Sequence, residues 1–222
     1  MNPKQLAGEK AVEFLKDGMI VGLGTGSTSY WAIQRIAQKV KEGLAVQAVA
    51  SSRNSEEMAQ QLGIPMIAFD DLAFIDITID GADEVDRNGN LIKGGGGALL
   101  REKILAANSK QFIVIVDESK EVEHLGHFPL PVEIVPFAAT LTINQLKKLK
   151  CRPKIRVKDG KEFITDNGNL IVDCTFERIL NPEKLSKEIN TIPGVVENGL
   201  FAQMANKIVI GYNNGAIKVK DM

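Results

Sequence analysis

The sequence has little of what redox, metal and disulfide chemistry needs. Its 222 residues include two cysteines, two histidines and one tryptophan. Cys151 and Cys174 lie far apart in the chain and in no C-x-x-C pattern, so they read as two reduced thiols of a cytosolic protein. His124 and His127 stand three apart with no nearby acid or cysteine to complete a ligand set, which argues against a zinc site. An excess of one charge is also missing. Lys and Arg number 27, Asp and Glu 28, and the net charge is −1. That balance gives no electrostatic case for a nucleic-acid or membrane partner. It does little to oppose self-association, so a homo-oligomer, dimer or tetramer, is expected. No apolar run approaches the roughly 20 residues of a membrane span. The opening "MNPKQLAGEKAVEFLKDGM" lacks the basic-then-apolar pattern of a signal peptide, and a cytoplasmic location is the expectation.

What is present suits a globular chain with a real core: 44% of residues are hydrophobic and 25% charged. The spacing of Leu6, Ala7, Ala11, Phe14 and Leu15 predicts a helix over 4–16. "MIVGLG" reads as a short buried strand, "GTGSTS" as a turn and "YWAIQRIAQKV" as an amphipathic helix. "AVQAVA" is a strand, and "SRNSEEMAQQLG" a helix with Gly63 near its stop. "FIDITID" alternates, with Ile75, Ile77 and Ile79 on one face. A helix over about 97–107 would turn Leu100, Ile104 and Leu105 to the core, and "QFIVIVD" is a buried strand. Such alternation predicts an α/β fold with a Rossmann-like, mostly parallel sheet covered on both faces. Near residue 125 the rhythm breaks at the proline-rich "HLGHFPLPVEIVPFA". The expected division is a Rossmann-like catalytic domain of 1–125 plus about 200–222, and a smaller α+β domain of 126–199. The last strands, turned at Asn214-Gly215, would return to the large sheet.

Four stretches could carry chemistry. "VGLGTGSTS" joins a buried strand to a helix, so glycine lets the backbone turn while free helix N–H groups make an anion site. Ser27 and Thr28 add hydroxyls, and one of them could cap the helix. The stretch lacks the G-K-[ST] of a Walker A loop, and its G-x-G-x-x-S is a poor dinucleotide fingerprint. The alternatives are a bound phosphate and a tight capped turn. In "DITIDGADEVD", Asp80 ends a strand at the edge where open parallel sheets bind ligands, and Asp83 follows in the turn. Both could instead only shape that turn. The acids of "DRNGN" do not have calcium-loop spacing. Asn88-Gly89 reads as a two-residue hairpin turn, pairing Asp86 with Leu91 and Val85 with Ile92, and bringing Lys93 beside the acids. In "KGGGGALLREK", four glycines give up more backbone freedom than any other residues would, which demands a close approach by something. Glu102, on the helix after them, leans back toward them, unless it is a solvent-facing glutamate. Lys120, in "VDESK", ends another strand at the same sheet edge.

At "GLGTGSTS", "DGADEVD", "KGGGGALLREK" and "VDESK" the sequence closely resembles ribose-5-phosphate isomerases of type A. "PVEIVPFA", "DNGNLIVD" and "PGVVENGLF" match as well, so the likeness spans nearly the whole chain. The resemblance implies a cofactor-free, cytosolic, homo-oligomeric enzyme of the non-oxidative pentose phosphate pathway, interconverting D-ribose 5-phosphate and D-ribulose 5-phosphate. By motif, Glu102 is the proton-transferring base, and Asp80, Asp83 and Lys93 are the other active-site polar groups. Thr25, Gly26, Ser27, Thr28, Gly81, Ala82, Gly94, Gly95, Gly96 and Lys120 bind the substrate. Moving a proton between C2 and C1 through an enediolate needs a base over carbon and donors at oxygen. The backbone N–H groups of Gly94 to Gly97 and the charge of Lys93 would supply those donors. Two rivals fit less well. A deaminating or lactone-hydrolysing sugar-phosphate enzyme would want a histidine among these motifs. A non-catalytic sugar-phosphate sensor would need neither Glu102 nor Lys93, and would carry a DNA-binding segment.

Overall fold

A computed structural model describes residues 2–222. The chain opens with α1 (Pro3–Val12), β1 (Ile20–Leu23), α2 (Ser27–Lys41), β2 (Gln47–Ala50), α3 (Arg53–Gln61) and β3 (Ile75–Gly81). A small hairpin of β4 (Glu84–Val85) and β5 (Leu91–Ile92) precedes α4 (Leu99–Ala107) and β6 (Ser109–Asp117). Next come β7 (Leu130–Ile134), α5 (Ala139–Lys147), β8 (Arg152–Ile155), β9 (Val157–Lys158), β10 (Lys161–Glu162) and β11 (Leu170–Thr175). The chain ends with α6 (Pro182–Asn190), β12 (Val195–Asn198), β13 (Leu200–Phe201), β14 (Lys207–Gly211) and β15 (Ile217–Asp221). These elements fall into two compact units. The first holds the chain up to Ala82, Arg101–Lys120 and Met204–Met222, and the second holds Asp83–Leu100 and Glu121–Gln203.

The first unit is built on a six-stranded sheet of order β15-β14-β6-β3-β1-β2. Every neighbouring pair is parallel except the terminal β14–β15 hairpin. This is the α/β, mostly parallel architecture that the strand–helix alternation predicts, and the final strands do join the large sheet. In β6, Phe112 to Val116 are all buried, as a strand inside a covered sheet requires. Each such side chain contributes roughly 1.5–3 kcal/mol. Ala7 and Ala11 of α1 and Ile33 and Ile36 of α2 pack with Val21, Ile77 and Ile113 in the main core. The alternation of β3 does not expose its polar face, because Thr78 and Asp80 are each only 1% exposed.

The second unit holds a four-stranded antiparallel sheet, β12-β7-β11-β8, a three-stranded sheet, β13-β5-β4, and the β9–β10 ribbon. Residues 83–100 belong to this unit, whereas the sequence division places them with the catalytic domain. The cause is pairing: β5 bonds to β13 as well as to β4. The hairpin register also differs by one, with Val85 opposite Leu91 and Glu84 opposite Ile92. Asp86 takes the loop over. Its Oδ1 accepts the Asn88 and Asn90 N–H groups at 2.8 and 2.9 Å, and its own N–H donates to Asn90 O. The closed loop is thus longer than a two-residue turn. Cys151 and Cys174, distant in sequence, are both buried in this unit's core. Their mutual hydrogen bond, together with burial, pushes the Cys174 thiol far up.

The buried stripe of α4 also differs from expectation. Leu99, Glu102, Leu105 and Ala106 are the buried positions, while Ile104 is 50% exposed. The spacing is helical, but a carboxylate occupies one of its core positions.

Candidate active site

In the first unit the strand order reverses at β1, which has β2 on one side and β3 on the other. Open parallel sheets bind ligands outside the strand carboxyl ends at such a point. Two close contacts build this edge. A Cβ on Gly22 would lie 2.0 Å from Thr78 Oγ1, and one on Gly24 would lie 2.0 Å from Asp80 Oδ1. The G-x-G of β1 therefore answers the T-x-D of β3 at the two-residue period of a strand. Asp80 Oδ1 accepts the Thr25 N–H at 3.0 Å, the Ser29 hydroxyl at 3.1 Å and the Gly81 N–H at 2.7 Å. The aspartate thus fixes the turn that leads into α2. Thr25 Oγ1 lies 2.8 Å from both Ser51 Oγ and Ser52 Oγ, and Ser55 Oγ donates to Gly24 O at 2.7 Å.

The start of α2, like that of α5, has no side-chain cap. The helices α1, α3 and α6 begin on Asn2, Ser52 and Asn181, whose side-chain oxygens each accept a backbone N–H. By contrast, α2 begins on Gly26, at φ +113, with no side-chain cap. Neither Ser27 nor Thr28 caps it; both lie in its first turn. The first-turn N–H groups of α2 thus keep the positive end of the helix open to an anion. Lys4 Nζ donates to Ser27 Oγ at 2.9 Å, adding a cation that no local pattern in the chain singles out. At Gly81 a Cβ would meet nothing closer than 3.7 Å, so packing does not explain that glycine. Ala82 follows, half-buried. Glu102, in the first turn of α4, is 3% exposed. Lys120 ends a short 3-10 turn after β6, where Asp117 accepts the Ser119 N–H and Glu118 holds Asn213.

In the second unit, Lys93 follows β5 and is 2% exposed, with its Nζ 5.4 Å from the centre of the Phe201 ring. Gly94 and Gly97 take φ of +100 and +80. The Gly97 N–H closes on Gly94 O at 2.9 Å, and the Gly95 N–H donates to Asp83 Oδ2 at 2.8 Å. So two of the four amides expected to face a sugar are engaged inside the protein. Gly95 and Gly96 form the exposed tip. The protein's own groups stand where side chains would be. A Cβ on Gly94 would lie 2.9 Å from the Leu99 side chain, one on Gly95 2.5 Å from Asp83 Oδ1, and one on Gly97 2.3 Å from the Phe163 ring. His124, outside these motifs, contacts Glu123 and Arg178.

The first unit thus presents an open helix start, a cation and a buried carboxylate. The second presents a buried ammonium beside a glycine turn pinned by an aspartate. Anion binding and proton transfer are chemistry that such groups can serve.

The model of the family ribose 5-phosphate isomerase A (phosphoriboisomerase A) matches residues 47–215. The chain is 55% identical to ribose-5-phosphate isomerase A of Bacillus mycoides over 97% of its own length and 98% of the relative's. It is 47% identical to that of Streptococcus pneumoniae over 96% and 95%. A solved ribose 5-phosphate isomerase from Plasmodium falciparum aligns with TM-score 0.95 and 39% identity, covering 99% of this chain and 97% of that one. A D-ribose-5-phosphate isomerase solved in complex with phospho-erythronic acid aligns with TM-score 0.95 and 39% identity over the whole of both chains. The chain belongs to the ribose 5-phosphate isomerase A family, and it is an isomerase.

Proposed function

We propose that this enzyme interconverts D-ribose 5-phosphate and D-ribulose 5-phosphate through an enediolate, with Glu102 as the base. The observation that carries this reading is the place of Glu102 on α4, a core position of the helix filled by a carboxylate. Burying a carboxylate costs several kcal/mol, which a purely structural helix would avoid with an apolar residue. Glu102 takes the C2 proton of the open-chain aldose as the carbonyl electrons move onto O1. It then returns a proton to C1 while the C2 hydroxyl passes its own proton to O1 and becomes the ketone. Lys93 and the Gly96 amide face the charge that develops on oxygen, a role in which each preorganised donor contributes about 3–4 kcal/mol.

The phosphate lies on the open start of α2, at Thr25, Gly26, Ser27 and Thr28, with Lys4 beside it. Gly81 and Ala82 leave room for the sugar, and Gly94, Gly95 and Lys120 complete its binding. Asp80 and Asp83 open the furanose ring and shuttle hydroxyl protons. The near-neutral charge does little to oppose self-association, and the enzyme works as a cytoplasmic homo-oligomer, dimer or tetramer, in the non-oxidative pentose phosphate pathway without a cofactor. Glu102→Gln should fold normally and lose at least about 10²-fold in kcat. Near-wild-type turnover by that variant would remove Glu102 as the base. Activity should also persist in EDTA; loss on chelation, restored by one divalent ion, would replace the enediolate donors with a metal.

A further inference from the structure

We infer that Arg156 is a positioning residue of the isomerisation, holding the glycine turn in the shape that turns the Gly96 amide toward the substrate. This rests on the reading of that turn as part of the substrate site. Arg156 lies 62 residues from Gly94 in the chain, directly after β8. Its Nη1 donates to Gly94 O at 2.9 Å and to Gly95 O at 3.0 Å. The other edge of the guanidinium is clamped by Asp173, with Nε to Oδ2 at 3.0 Å and Nη2 to Oδ1 at 2.5 Å. The side chains of the pair are 14% and 27% exposed. The backbone on either side is fixed as well: the Arg156 N–H donates to Ile171 O at 2.8 Å, and Arg156 O accepts the Phe163 N–H at 2.9 Å. Phe163 is the ring that fills the Cβ position of Gly97, and the guanidinium carbon lies 5.9 Å from its centre.

Glycine carbonyls and amides point opposite ways across each peptide plane. Fixing the Gly94 and Gly95 carbonyls on Arg156 therefore fixes which way the Gly95 and Gly96 amides point. The Gly95 amide goes to Asp83, and the Gly96 amide is left at the tip. Four glycines in a row have no intrinsic preference for this shape, so something outside the run must impose it. A planar fork that bonds two carbonyls and a carboxylate at once does so; a lysine, with a single point of charge, does not. Arg156 touches no reacting atom in this scheme. It acts through the peptide planes it holds.

The test uses the full-length enzyme as Arg156→Met, Arg156→Lys and Asp173→Asn, with kcat and KM for ribose 5-phosphate, melting temperature, and amide resonances of isotope-labelled glycines titrated with phospho-erythronic acid. A displaced turn misplaces transition-state donors, so kcat should fall about 10²-fold in Arg156→Met while KM changes less than about threefold. Arg156→Lys should not restore it. Should Arg156→Met fail to fold, Asp173→Asn, which keeps the Arg156 guanidinium but loosens the clamp on it, should lower kcat about 10-fold with a melting temperature within about 4 °C of wild type. Folded variants turning over within about twofold of wild type overturn the inference, as does a loss carried wholly by KM. If the wild-type Gly94 to Gly97 resonances ignore phospho-erythronic acid, the reading of the turn as a substrate site fails, and the inference with it. If they respond and the variants stay active, only the inference fails.

Discussion

The molecule has two glycine turns, and they are glycine-rich for related reasons with different consequences. In the first unit, the Cβ positions of Gly22 and Gly24 are taken by Thr78 and Asp80, groups buried in the sheet. In the second, those of Gly95 and Gly97 are taken by Asp83 and Phe163, both only partly buried. Each turn has an aspartate carboxylate where a methyl would be, and the two aspartates are three residues apart in the chain. A glycine run beside an acid therefore marks a place where the protein packs a carboxylate against its own backbone. A ligand bound there would meet the amides left over, and not the glycine face as a whole. The first turn is locked by strand register, the second by side-chain bonds from Asp83 and Arg156.

Substitutions that add one methyl test the contrast. The largest effect on stability is expected for Gly24→Ala, which should cost about 2–3 kcal/mol in urea unfolding, because Asp80 has nowhere to move and three donors depend on it. A loss below about 0.5 kcal/mol would show that the register does not enforce that glycine. Gly95→Ala should cost only about 1 kcal/mol, since Asp83 sits at a partly exposed position and can swing, yet it should lower kcat/KM about 10-fold by breaking the bond that orients the turn. Gly81→Ala should leave stability within about 0.5 kcal/mol and raise KM, because its Cβ makes only ordinary contacts with the protein. An unchanged KM would place the sugar elsewhere.

Asp76, at the other end of β3 from Asp80, provides a control with the smallest expected effect. Burial pushes its carboxyl up, but the Ile20 N–H and Lys110, each at 2.9 Å, outweigh this and hold it below its ordinary value of 3.8. A lowered carboxylate adds stability above its unfolded value and loses it as pH falls through the folded one. Asp76→Asn should therefore cost about 1 kcal/mol at neutral pH, with the gap to wild type closing below about pH 3.8 and turnover unchanged. A pH-independent gap would mean the charge is not what matters there.

Much of this was legible in the chain. The periods of β3 and β6 and the helices between them dictate the parallel sheet, and Asp80 falls at its edge because it ends an alternating strand. Glu102 could be singled out by its place after the glycines, although the stripe it shares with Leu99, Leu105 and Ala106 was not the one that Leu100 and Ile104 suggested. The rest depended on contacts between distant residues. Nothing local pairs Lys4 with Ser27, Cys151 with Cys174, or Arg156 with Gly94. The β4–β5 register slipped by one because the Asp86 side chain competes with the backbone for the loop's amides, as short acidic side chains do.

The most direct measurement of the central claim is solvent exchange during turnover. Ribose 5-phosphate is incubated with wild-type enzyme or Glu102→Gln in deuterated water, and both sugars are analysed for label at C1 and C2. Proton transfer through an enediolate on Glu102 predicts solvent deuterium at these carbons with the wild type and a rate of labelling lowered together with turnover in the variant. Conversion at the wild-type rate by Glu102→Gln, with the C2 hydrogen carried undiluted to C1, would contradict it.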